Sequence, residues 1–285
     1  MSSEAAPRRR RHYIMIGAPV TAVRTPPLLS EWFADQGIEA RIDTRHVAAE
    51  DLASFMETVR VDPGIDGLLV TMPHKRAILS YLDRLSGAAE RTGSVNAVKR
   101  ADGNTLIGAQ FDGLALVAAV ESGNLIIDDA RIVLAGLGGA GLAIAEALVE
   151  RGCRLLQVCD ADPDREATVL GNLQARGAAI EAVRVGEAGP VDLLINATPL
   201  GMVPDDANPF PVTLVQKAAC VADIVADPPE TKLAALAKRR GIPLVTGRAM
   251  VAAQVPLIGS WLNASESEPK HKSASPRCPP AGNAL

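Results

Sequence analysis

The sequence has few aromatic residues, no strong excess of one charge and no long hydrophobic run. Only 3% of its 285 residues are Phe, Trp or Tyr, which argues against a surface that stacks nucleic-acid bases. The formal net charge of -4 gives no electrostatic reason to expect nucleic acid or an anionic membrane as a partner. No apolar run approaches the roughly 20 residues that span a bilayer, and the strand after the basic run Pro7 to Arg11 is too short for a signal sequence. We therefore expect a cytoplasmic protein with small-molecule partners and no contact with nucleic acid or membrane.

Cysteine and histidine are also scarce, with four residues of each type. The cysteines form no C-x-x-C pair and are expected to be reduced thiols in or near a core. They are Cys153, Cys159, Cys220 and Cys278. The histidines are scattered as well, so we predict no metal site.

The most informative segment is Arg131-Ile-Val-Leu-Ala-Gly-Leu-Gly-Gly-Ala-Gly141, a short apolar strand that leads into glycines. In such a motif the first glycine makes a tight turn, the second lets a pyrophosphate approach the backbone, and the third lets helix and strand pack closely. The next run, Leu142 to Arg151, predicts a helix whose N-terminus favours a phosphate group. The motif predicts a dinucleotide site. Its cofactor contacts would be Gly136, Gly138, Gly139, Ala140 and Gly141.

A second β-type run, Leu155 to Cys159, ends in Asp160, roughly 20 residues beyond the glycine loop, as a dinucleotide-binding unit requires. An acidic side chain there accepts hydrogen bonds from both ribose hydroxyls of NAD and repels the 2′-phosphate of NADP. The next arginine along the chain is Arg165. We therefore predict NAD as the cofactor, with NADP as the alternative. The other interpretation is that Asp160 or Asp162 only caps a helix near Pro163.

Strands and helices alternate along the chain, which predicts a parallel α/β fold. The predicted strands are 13–17, 39–43, 67–70, 94–100, 105–107, 155–159, 191–196, 221–225 and 243–245, and the predicted helices are 26–36, 49–59, 75–85, 112–122, 142–151, 230–240 and 247–263. Residues 101–104 read as a hairpin turn, and the two strands that it joins would form the edge of the first sheet. Ligands of open α/β sheets bind beyond the carboxyl ends of the strands, so polar residues just after strands are the candidates for a site.

Five ordered segments together resemble motifs of the shikimate dehydrogenase family, and the resemblance covers nearly all of residues 13 to 263. The segments are Val70-Thr-Met-Pro-His-Lys75, Gly93-Ser-Val-Asn-Ala97, Gly108-Ala-Gln-Phe-Asp-Gly113, Asp192-Leu-Leu-Ile-Asn-Ala-Thr-Pro-Leu-Gly-Met202 and Gly247-Arg-Ala-Met-Val-Ala-Ala-Gln254. The resemblance implies an N-terminal mixed α/β substrate domain and a Rossmann-type dinucleotide-binding domain. We place the first at residues 12–111, completed by helix 247–263, and the second at 112–246. Residues 1–11 and 264–285 lack hydrophobic periodicity and are expected to be disordered.

The resemblance also implies roles for single residues. Lys75 and Asp112 fall on the family's catalytic lysine and aspartate, and Asn96 and Gln254 fall on amides that bind the substrate. The further implied contacts are Thr25 and Thr71 to the substrate, and Asn196, Thr198 and Gly247 to the cofactor.

A lysine beside an aspartate suits the oxidation of a secondary alcohol, because the hydroxyl proton must leave as hydride leaves carbon. A lysine at its ordinary pKa of about 10.4 is a poor base near neutrality, but burial and a positioned partner can tune it. Our hypothesis is that Lys75 transfers the proton and that Asp112 orients it and holds a neighbouring substrate hydroxyl. The alternative is that Lys75 begins a solvated helix and that Asp112 is only a helix N-cap.

The predicted substrate pocket departs from the family pattern. The family's two serines after Gly-x-Pro are replaced by Val23 and Thr25, and polar residues are replaced by Leu69, Ala97 and Ala226. A site built on hydrogen bonds discriminates through them, so these losses predict a changed substrate. Arg24 is placed to bind a carboxylate bidentately, or is an ordinary exposed arginine. We expect a compact hydroxy acid such as shikimate, quinate or a related compound, with fewer or differently placed hydroxyls.

Two other functions are considered. A folate-linked methylene dehydrogenase also uses a lysine in its N-terminal domain, but the segments around Asn96 and Asp112 speak against it. A nucleotide-binding sensor that has lost catalysis would explain the altered pocket, but it has no evident need for both Lys75 and Asp112. Met72 and Met250 are expected to pack in the core, His74 is expected to be exposed, and the chain is expected to be a monomer or a homodimer.

Overall fold

A computed structural model describes residues 10–20, 24–185 and 187–264. The first half of the chain contains β1 (Arg11–Gly17), α1 (Thr25–Asp35), β2 (Ala40–His46), α2 (Leu52–Val61), β3 (Gly67–Val70), α3 (His74–Ala77), β4 (Arg84–Leu85), α4 (Gly87–Thr92), β5 (Ala97–Ala101) and β6 (Thr105–Ala109). The second half contains α5 (Asp112–Ser122), β7 (Arg131–Ala135), α6 (Gly139–Glu150), β8 (Leu155–Cys159), α7 (Pro163–Gln174), β9 (Ile180–Ala182), β10 (Val191–Asn196), α8 (Val212–Val215), β11 (Ala218–Asp223), α9 (Lys232–Arg239), β12 (Leu244–Thr246) and α10 (Gly247–Asn263). Within the described part of the chain, no helix is both long and apolar enough to cross a membrane.

The first sheet is mixed and has the strand order β2-β1-β3-β5-β6-β4. β1 pairs in parallel with β2 and β3, whereas β5 pairs antiparallel with β3 and β6. The predicted hairpin between β5 and β6 is confirmed, and its turn has Gly103 and Asn104 at φ 68° and 67°. These positive values are unusual for residues other than glycine, asparagine and aspartate.

The prediction that this hairpin forms the edge of the sheet is wrong, because β4 pairs with β6 on its outer side. The predicted helix 75–85 is also wrong: α3 passes into a single 3-10 turn over Ile78–Tyr81 and then into the strand β4. The reason lies at Asp83. Its backbone N–H donates to Leu106 O at 2.9 Å and its carboxylate accepts from Leu106 N at 2.7 Å, so the chain is held extended beside β6.

The second sheet is parallel throughout, with the order β12-β11-β10-β7-β8-β9. The register places Ala135 at the end of β7 beside Cys159 of β8 on one side and Asn196 of β10 on the other. The chain order reverses between β7 and β10, which is the point where doubly wound sheets bind their ligands. The predicted α/β class, with a mixed N-terminal domain and a Rossmann-type domain, is therefore confirmed.

Helices cover both faces of each sheet, which explains the nearly continuous apolar strands. In β3, all four residues are buried. The C-terminal helix α10 packs on the first sheet, where Val255, Ile258 and Leu262 join a buried cluster with Tyr13 and Phe33 of β1 and α1. α10 thereby returns the end of the described chain to the first sheet.

Several expectations for single residues are corrected. His74 is 1% exposed, with Nε2 at 2.7 Å from Val47 O, whereas we expected an exposed ring. Met250 is buried as expected, but Met72 is 57% exposed. Arg11 lies in β1 and pairs with Ala40, although we had placed it in a disordered tail. The rest of the predicted disorder, at residues 1–9 and 265–285, lies outside the described residues.

The cysteines within the described chain are free thiols. Cys220 is buried, and Cys153 and Cys159 are partly buried. Burial raises the pKa of Cys153 and Cys159 to about 11, so neither is a reactive thiolate near neutrality. Cys278 lies outside the described residues.

Candidate active site

Lys75 and Asp112 meet at the carboxyl-end edge of the first sheet. Lys75 lies in α3, which follows β3, and Asp112 is the first residue of α5, which follows β6. Lys75 Nζ donates to Asp112 Oδ2 at 2.6 Å, and the two side chains are only 17% and 6% exposed. A lysine on a solvated helix would not be held this way, so the structure favours the predicted pair over the alternative.

The second carboxylate oxygen of Asp112 is held by two amides. Oδ1 accepts from Asn96 Nδ2 at 2.9 Å and from Gln254 Nε2 at 2.8 Å. Asn96 is fixed in turn, because its Oδ1 accepts from the Phe111 backbone N–H at 3.0 Å. All three partners of the carboxylate are donors, so Asp112 serves as the acceptor for each of them.

Four predicted residues therefore converge on one point: Lys75 from α3, Asn96 from just before β5, Asp112 from α5 and Gln254 from α10. Within the described chain, the hydrogen bonds to the Asp112 carboxylate come from Lys75, Asn96 and Gln254, and none comes from the other predicted substrate contacts. Those other contacts are Thr25, Thr71 and Arg24.

The three other predicted substrate residues, Thr71, Thr25 and Arg24, differ in how far they are exposed to solvent. Thr71 follows β3 and donates its backbone N–H to Ile16 O at 3.0 Å. Its side-chain methyl group packs against Gly17, where an added Cβ would lie only 2.3 Å from Thr71 Cγ2. Thr25 is buried at the start of α1, while Arg24 is exposed. Val23, one of the departures from the family pattern, lies outside the described residues.

Two further departures are core positions. Leu69 and Ala97 are cross-strand partners on β3 and β5, and they are 1% and 0% exposed. They belong to the same buried cluster as Met15 and Phe111. The sheet face behind the Lys75–Asp112 pair is therefore apolar at both positions.

Sequence reasoning passed over two buried polar residues in this region, Ser94 and Gln110. Gln110 Oε1 accepts from the Asp112 backbone N–H at 2.8 Å, and Gln110 Nε2 donates to Ser94 Oγ at 3.0 Å. Both side chains lie inside segments that we had singled out for their neighbours Asn96 and Asp112. The available signal was a polar residue two positions before each of these functional residues, in segments whose other residues are mostly apolar.

The glycine loop after β7 has the geometry that its glycines predict. Gly136 has φ 90°, and a Cβ there would lie 2.7 Å from the Ala197 carbonyl. A Cβ at Gly141 would lie 1.9 Å from Gly136 O, whereas nothing lies within 4 Å of one at Gly138. The loop is thus closely packed on two sides and open at Gly138, where a pyrophosphate would approach the N-terminus of α6.

The glycine loop also reaches the first domain. A Cβ at Gly139 would lie 3.2 Å from Ser94 Oγ and 3.8 Å from Lys75 Cδ. Farther along α6, Glu146 and Glu150 pair with Arg91 of α4 at 3.5 and 2.5 Å. The start of α6 is therefore next to the cluster around Asp112, and a dinucleotide at Gly138 would be close to Lys75.

Asp160 is more enclosed than we expected. Its side chain is 4% exposed; Oδ2 accepts from Leu137 N at 2.5 Å, and Oδ1 accepts from Asp162 N at 2.8 Å and from the Arg165 guanidinium at 3.1 Å. Asp162 caps α7 by accepting from the N–H groups of Asp164 and Arg165. The helix-capping interpretation therefore holds for Asp162, whereas Asp160 ties the glycine loop to the turn after β8.

Asn196 was predicted to contact the cofactor, but its side chain is fully occupied. Nδ2 donates to Leu200 O and Asp223 Oδ1, both at 3.0 Å, and Oδ1 accepts from Thr198 N and Oγ1 at 3.1 and 2.6 Å. An amide has two N–H donors and two lone pairs, and all four are used here. Asn196 therefore holds the loop after β10, and its neighbour Thr198 is part of the same turn. A contact of either residue with the cofactor stays a prediction.

Asp223 anchors this loop and was missed as a site residue. It is 2% exposed and accepts from Asn196, from the Thr231 hydroxyl and from Val225 N. Burial raises the pKa of Asp223, and the three hydrogen bonds oppose that rise. Gly247 lies against the same segment, since a Cβ there would be 2.4 Å from Ile224 O.

A surface groove of about 660 Å³ lies elsewhere, along β2 and α2. Its lining within the described chain includes His12, Asp43, Arg45 and Thr58, and none of the predicted site residues. The groove is therefore separate from the cluster around Asp112.

A buried lysine–aspartate pair beside the glycine loop of a doubly wound sheet is the arrangement expected of a nicotinamide-dependent oxidoreductase. The family model described as "Shikimate dehydrogenase substrate binding domain" matches residues 15–98. The shikimate dehydrogenase (NADP(+)) of Rubrobacter xylanophilus is 32% identical over 245 residues, which cover 84% of this chain and 86% of that protein. The corresponding protein of Moorella thermoacetica is 33% identical over 248 residues, covering 84% of this chain and 83% of the relative.

A solved structure agrees with these relatives. The shikimate 5-dehydrogenase of Thermus thermophilus, in complex with NADP(H) and shikimate, superposes with a TM-score of 0.80 at 27% identity and covers 89% of this chain and 93% of that one. The chain belongs to the shikimate dehydrogenase family. Membership in this family gives no support to a folate-linked methylene dehydrogenase.

Proposed function

We propose that this chain transfers a hydride between a carbocyclic hydroxy acid and a nicotinamide cofactor, as an enzyme of the shikimate dehydrogenase type. The observation that carries the proposal is the buried Lys75–Asp112 pair, 2.6 Å apart and next to the glycine loop. The names of the curated relatives support the same reaction.

Oxidation of the alcohol removes a hydride from carbon and a proton from oxygen. The nicotinamide, when bound, accepts the hydride, and in the reverse direction its reduced form supplies one. Lys75 Nζ exchanges the proton: the neutral amine takes it from the hydroxyl, and the ammonium returns it to the carbonyl oxygen. Asp112 holds Nζ through Oδ2, while Asn96 and Gln254 fix the carboxylate through Oδ1.

We propose that the substrate is shikimate, quinate or a related compact hydroxy acid whose hydroxyls are fewer or differently placed. Asn96 and Gln254 each keep one amide N–H beyond the one given to Asp112, and Thr25 and Thr71 supply hydroxyls at the ends of neighbouring elements. The apolar residues Leu69 and Ala97 offer no replacement for the lost polar contacts. The proposed domains are residues 12–111 with 247–263, and 112–246.

For the cofactor, we propose a preference for NAD over NADP. Two carboxylates, Asp160 and Asp162, follow β8 and share the guanidinium of Arg165 at 3.1 and 3.0 Å. A 2′-phosphate there would meet two negative charges and an arginine that is already paired. The relatives' names specify NADP(+), and use of NADP by this chain would require Arg165 to leave its two carboxylates.

The test is nucleotide reduction by the purified protein with shikimate and with quinate, each supplied with NAD and separately with NADP. Turnover with either acid and NAD is expected. Nucleotide binding without turnover on shikimate, on quinate or on a panel of related hydroxy acids would contradict the proposal and favour the sensor. Cytoplasmic location and a monomeric or homodimeric state stay predictions from the sequence.

A further inference from the structure

The Gln110 side chain bonds the backbone of Asp112 rather than its carboxylate, and its two ends have fixed roles. The Asp112 backbone N–H is a donor, so the group facing it at 2.8 Å must be the Gln110 oxygen. The Gln110 nitrogen then donates to Ser94 Oγ at 3.0 Å. Gln110 is 3% exposed and Ser94 is 0% exposed, so water does not compete for either contact.

Ser94 extends this chain of contacts to the dinucleotide domain. Its Oγ would be 3.2 Å from a Cβ at Gly139, the first residue of α6. A Cβ contact of that length is tighter than most, so the Ser94 hydroxyl lies directly against the backbone of the glycine loop. Gly139, Ser94, Gln110 and the backbone of Asp112 thus form one continuous path from the loop to the catalytic aspartate.

We propose that Gln110 and Ser94 are positioning residues, which together fix the Asp112 carboxylate relative to the glycine loop of the other domain. This inference rests on the proposed function, because the Lys75–Asp112 pair must be catalytic for its placement to matter. Displacement of a catalytic group by about 1 Å can lower a rate about 100-fold, so a buried pair that fixes this distance affects turnover more than binding.

The direct test replaces Gln110 with methionine, which has a similar length and forms neither hydrogen bond. We expect Gln110→Met to lower kcat about 10- to 100-fold, with the Kd of the nucleotide, titrated separately, changed less than about twofold. Ser94→Ala removes only the far contact and should lower kcat about 3- to 10-fold. The matched control is Ser122→Ala, on the same helix as Asp112. The Ser122 hydroxyl donates to Ala119 O, far from the cluster, so the kcat of this variant should equal that of the unmodified protein.

The double variant tests whether Ser94 acts through Gln110. If it does, Ser94→Ala combined with Gln110→Met costs no more in kcat than Gln110→Met alone. Fully additive losses would contradict a shared path.

The conservative variant Gln110→Glu tests whether the hydrogen bond to the Asp112 N–H, rather than any polar side chain at position 110, supports kcat. A glutamate still accepts from the Asp112 N–H, so kcat should recover in part relative to Gln110→Met. Its charge near Asp112 should also move the pH profile of kcat, because a like charge disfavours ionisation of a carboxyl group.

The inference is overturned if folded Gln110→Met and Ser94→Ala keep normal kcat and pH profiles in a preparation whose unmodified protein turns over. Absence of turnover in the unmodified protein would instead contradict the proposed function. Ser94→Ala removes a single oxygen atom, so it supplies this result even where Gln110→Met does not fold.

Discussion

At the scale of single residues, the site depends on Asp112, whose two carboxylate oxygens hold three side chains from separate segments of the chain. Lys75 is on one oxygen, and Asn96 and Gln254 share the other. Each partner is a donor, so the arrangement requires an acceptor at this position. A carboxylate meets that requirement, and a carboxamide meets only half of it.

Asp112→Asn should therefore lower kcat about 100-fold or more, because the new NH2 group must face either Lys75 or the two amides, all of which are donors. Nucleotide affinity should change little, since the glycine loop is untouched. Asp164→Asn, an exposed position on α7, serves as the control for the loss of one charge. Normal kcat in folded Asp112→Asn would rule out the proposed role of the carboxylate.

Asp223 predicts a pH dependence of stability. Burial raises its pKa in the folded protein above the ordinary value of 3.8, so between these two values the folded state holds a proton that the unfolded state has lost. The free energy of unfolding contributed by Asp223 therefore falls as pH rises through that window and stays lower above it. Asp43 and Asp83, whose pKa values are lowered by arginine partners, contribute in the opposite direction.

The measurement is urea unfolding from pH 4 upward for the unmodified protein and for Asp223→Asn. The difference in unfolding free energy between the two should change in favour of the variant as pH rises. The exposed position Asp205→Asn is the control and should show a constant difference. A constant difference for Asp223→Asn as well would show that its pKa is not raised.

The position of a side chain in the site could be predicted where a sequence motif contains the residue. Its burial could not be predicted where a contact with a distant part of the chain determines it. Lys75, Asp112, Asn96 and Gln254 converge as the resemblance implies. The burial of His74 is determined by the Val47 carbonyl, 27 residues earlier in the chain, which no local pattern shows.

At the scale of elements, our proposed cofactor preference rests on the turn between β8 and α7. Arg165, in the first turn of α7, bonds both Asp160 and Asp162 and is 39% exposed. Asp160 also holds the glycine loop through Leu137 N, so changing it would disturb more than the local charge. Asp162 is the better position for a test, because its second function is only to cap α7.

Asp162→Asn keeps an efficient N-cap residue while it removes one negative charge and frees Arg165 from one partner. We expect the ratio of kcat/KM for NADP to that for NAD to rise about tenfold. Asp164→Asn, in the same helical turn, removes a charge without touching Arg165 and should leave the ratio unchanged. An unchanged ratio in Asp162→Asn would mean that this turn does not select the cofactor.

The length of an element did not decide whether it was predicted: the four-residue strand β3 was, whereas the 12-residue helix α7 was indicated only by a possible cap near Pro163. The glycine loop with α6, the β5–β6 hairpin and the helix α10 all appear near their predicted bounds. The strand β4 has two residues and α4 has six, and both are fixed by contacts with β6 and α6 that carry no local signal. The hydrogen bond between Asn196 and Asp223, 27 residues away, likewise has no local signal in the sequence.

At the scale of the whole molecule, two sheets are joined so that the carboxyl ends of β3 and β6 lie next to the glycine loop after β7. Contacts between α6 and the first domain include Gly139 against Ser94 and Lys75, and Glu146 and Glu150 against Arg91. α10 adds Gln254 to the cluster from the end of the described chain. This arrangement was predictable in outline from two α/β units in series, but the pairing of particular side chains between the two units was not.

The central claim is that Lys75 exchanges the proton during hydride transfer, and Lys75→Met tests it most directly. Methionine is unbranched like lysine but carries no ionisable group, so the variant separates proton transfer from packing. The measurement is kcat with the better of shikimate and quinate, together with a titration of nucleotide affinity. We expect a loss in kcat of about 100-fold or more with nucleotide affinity nearly unchanged. Normal turnover in folded Lys75→Met would contradict it.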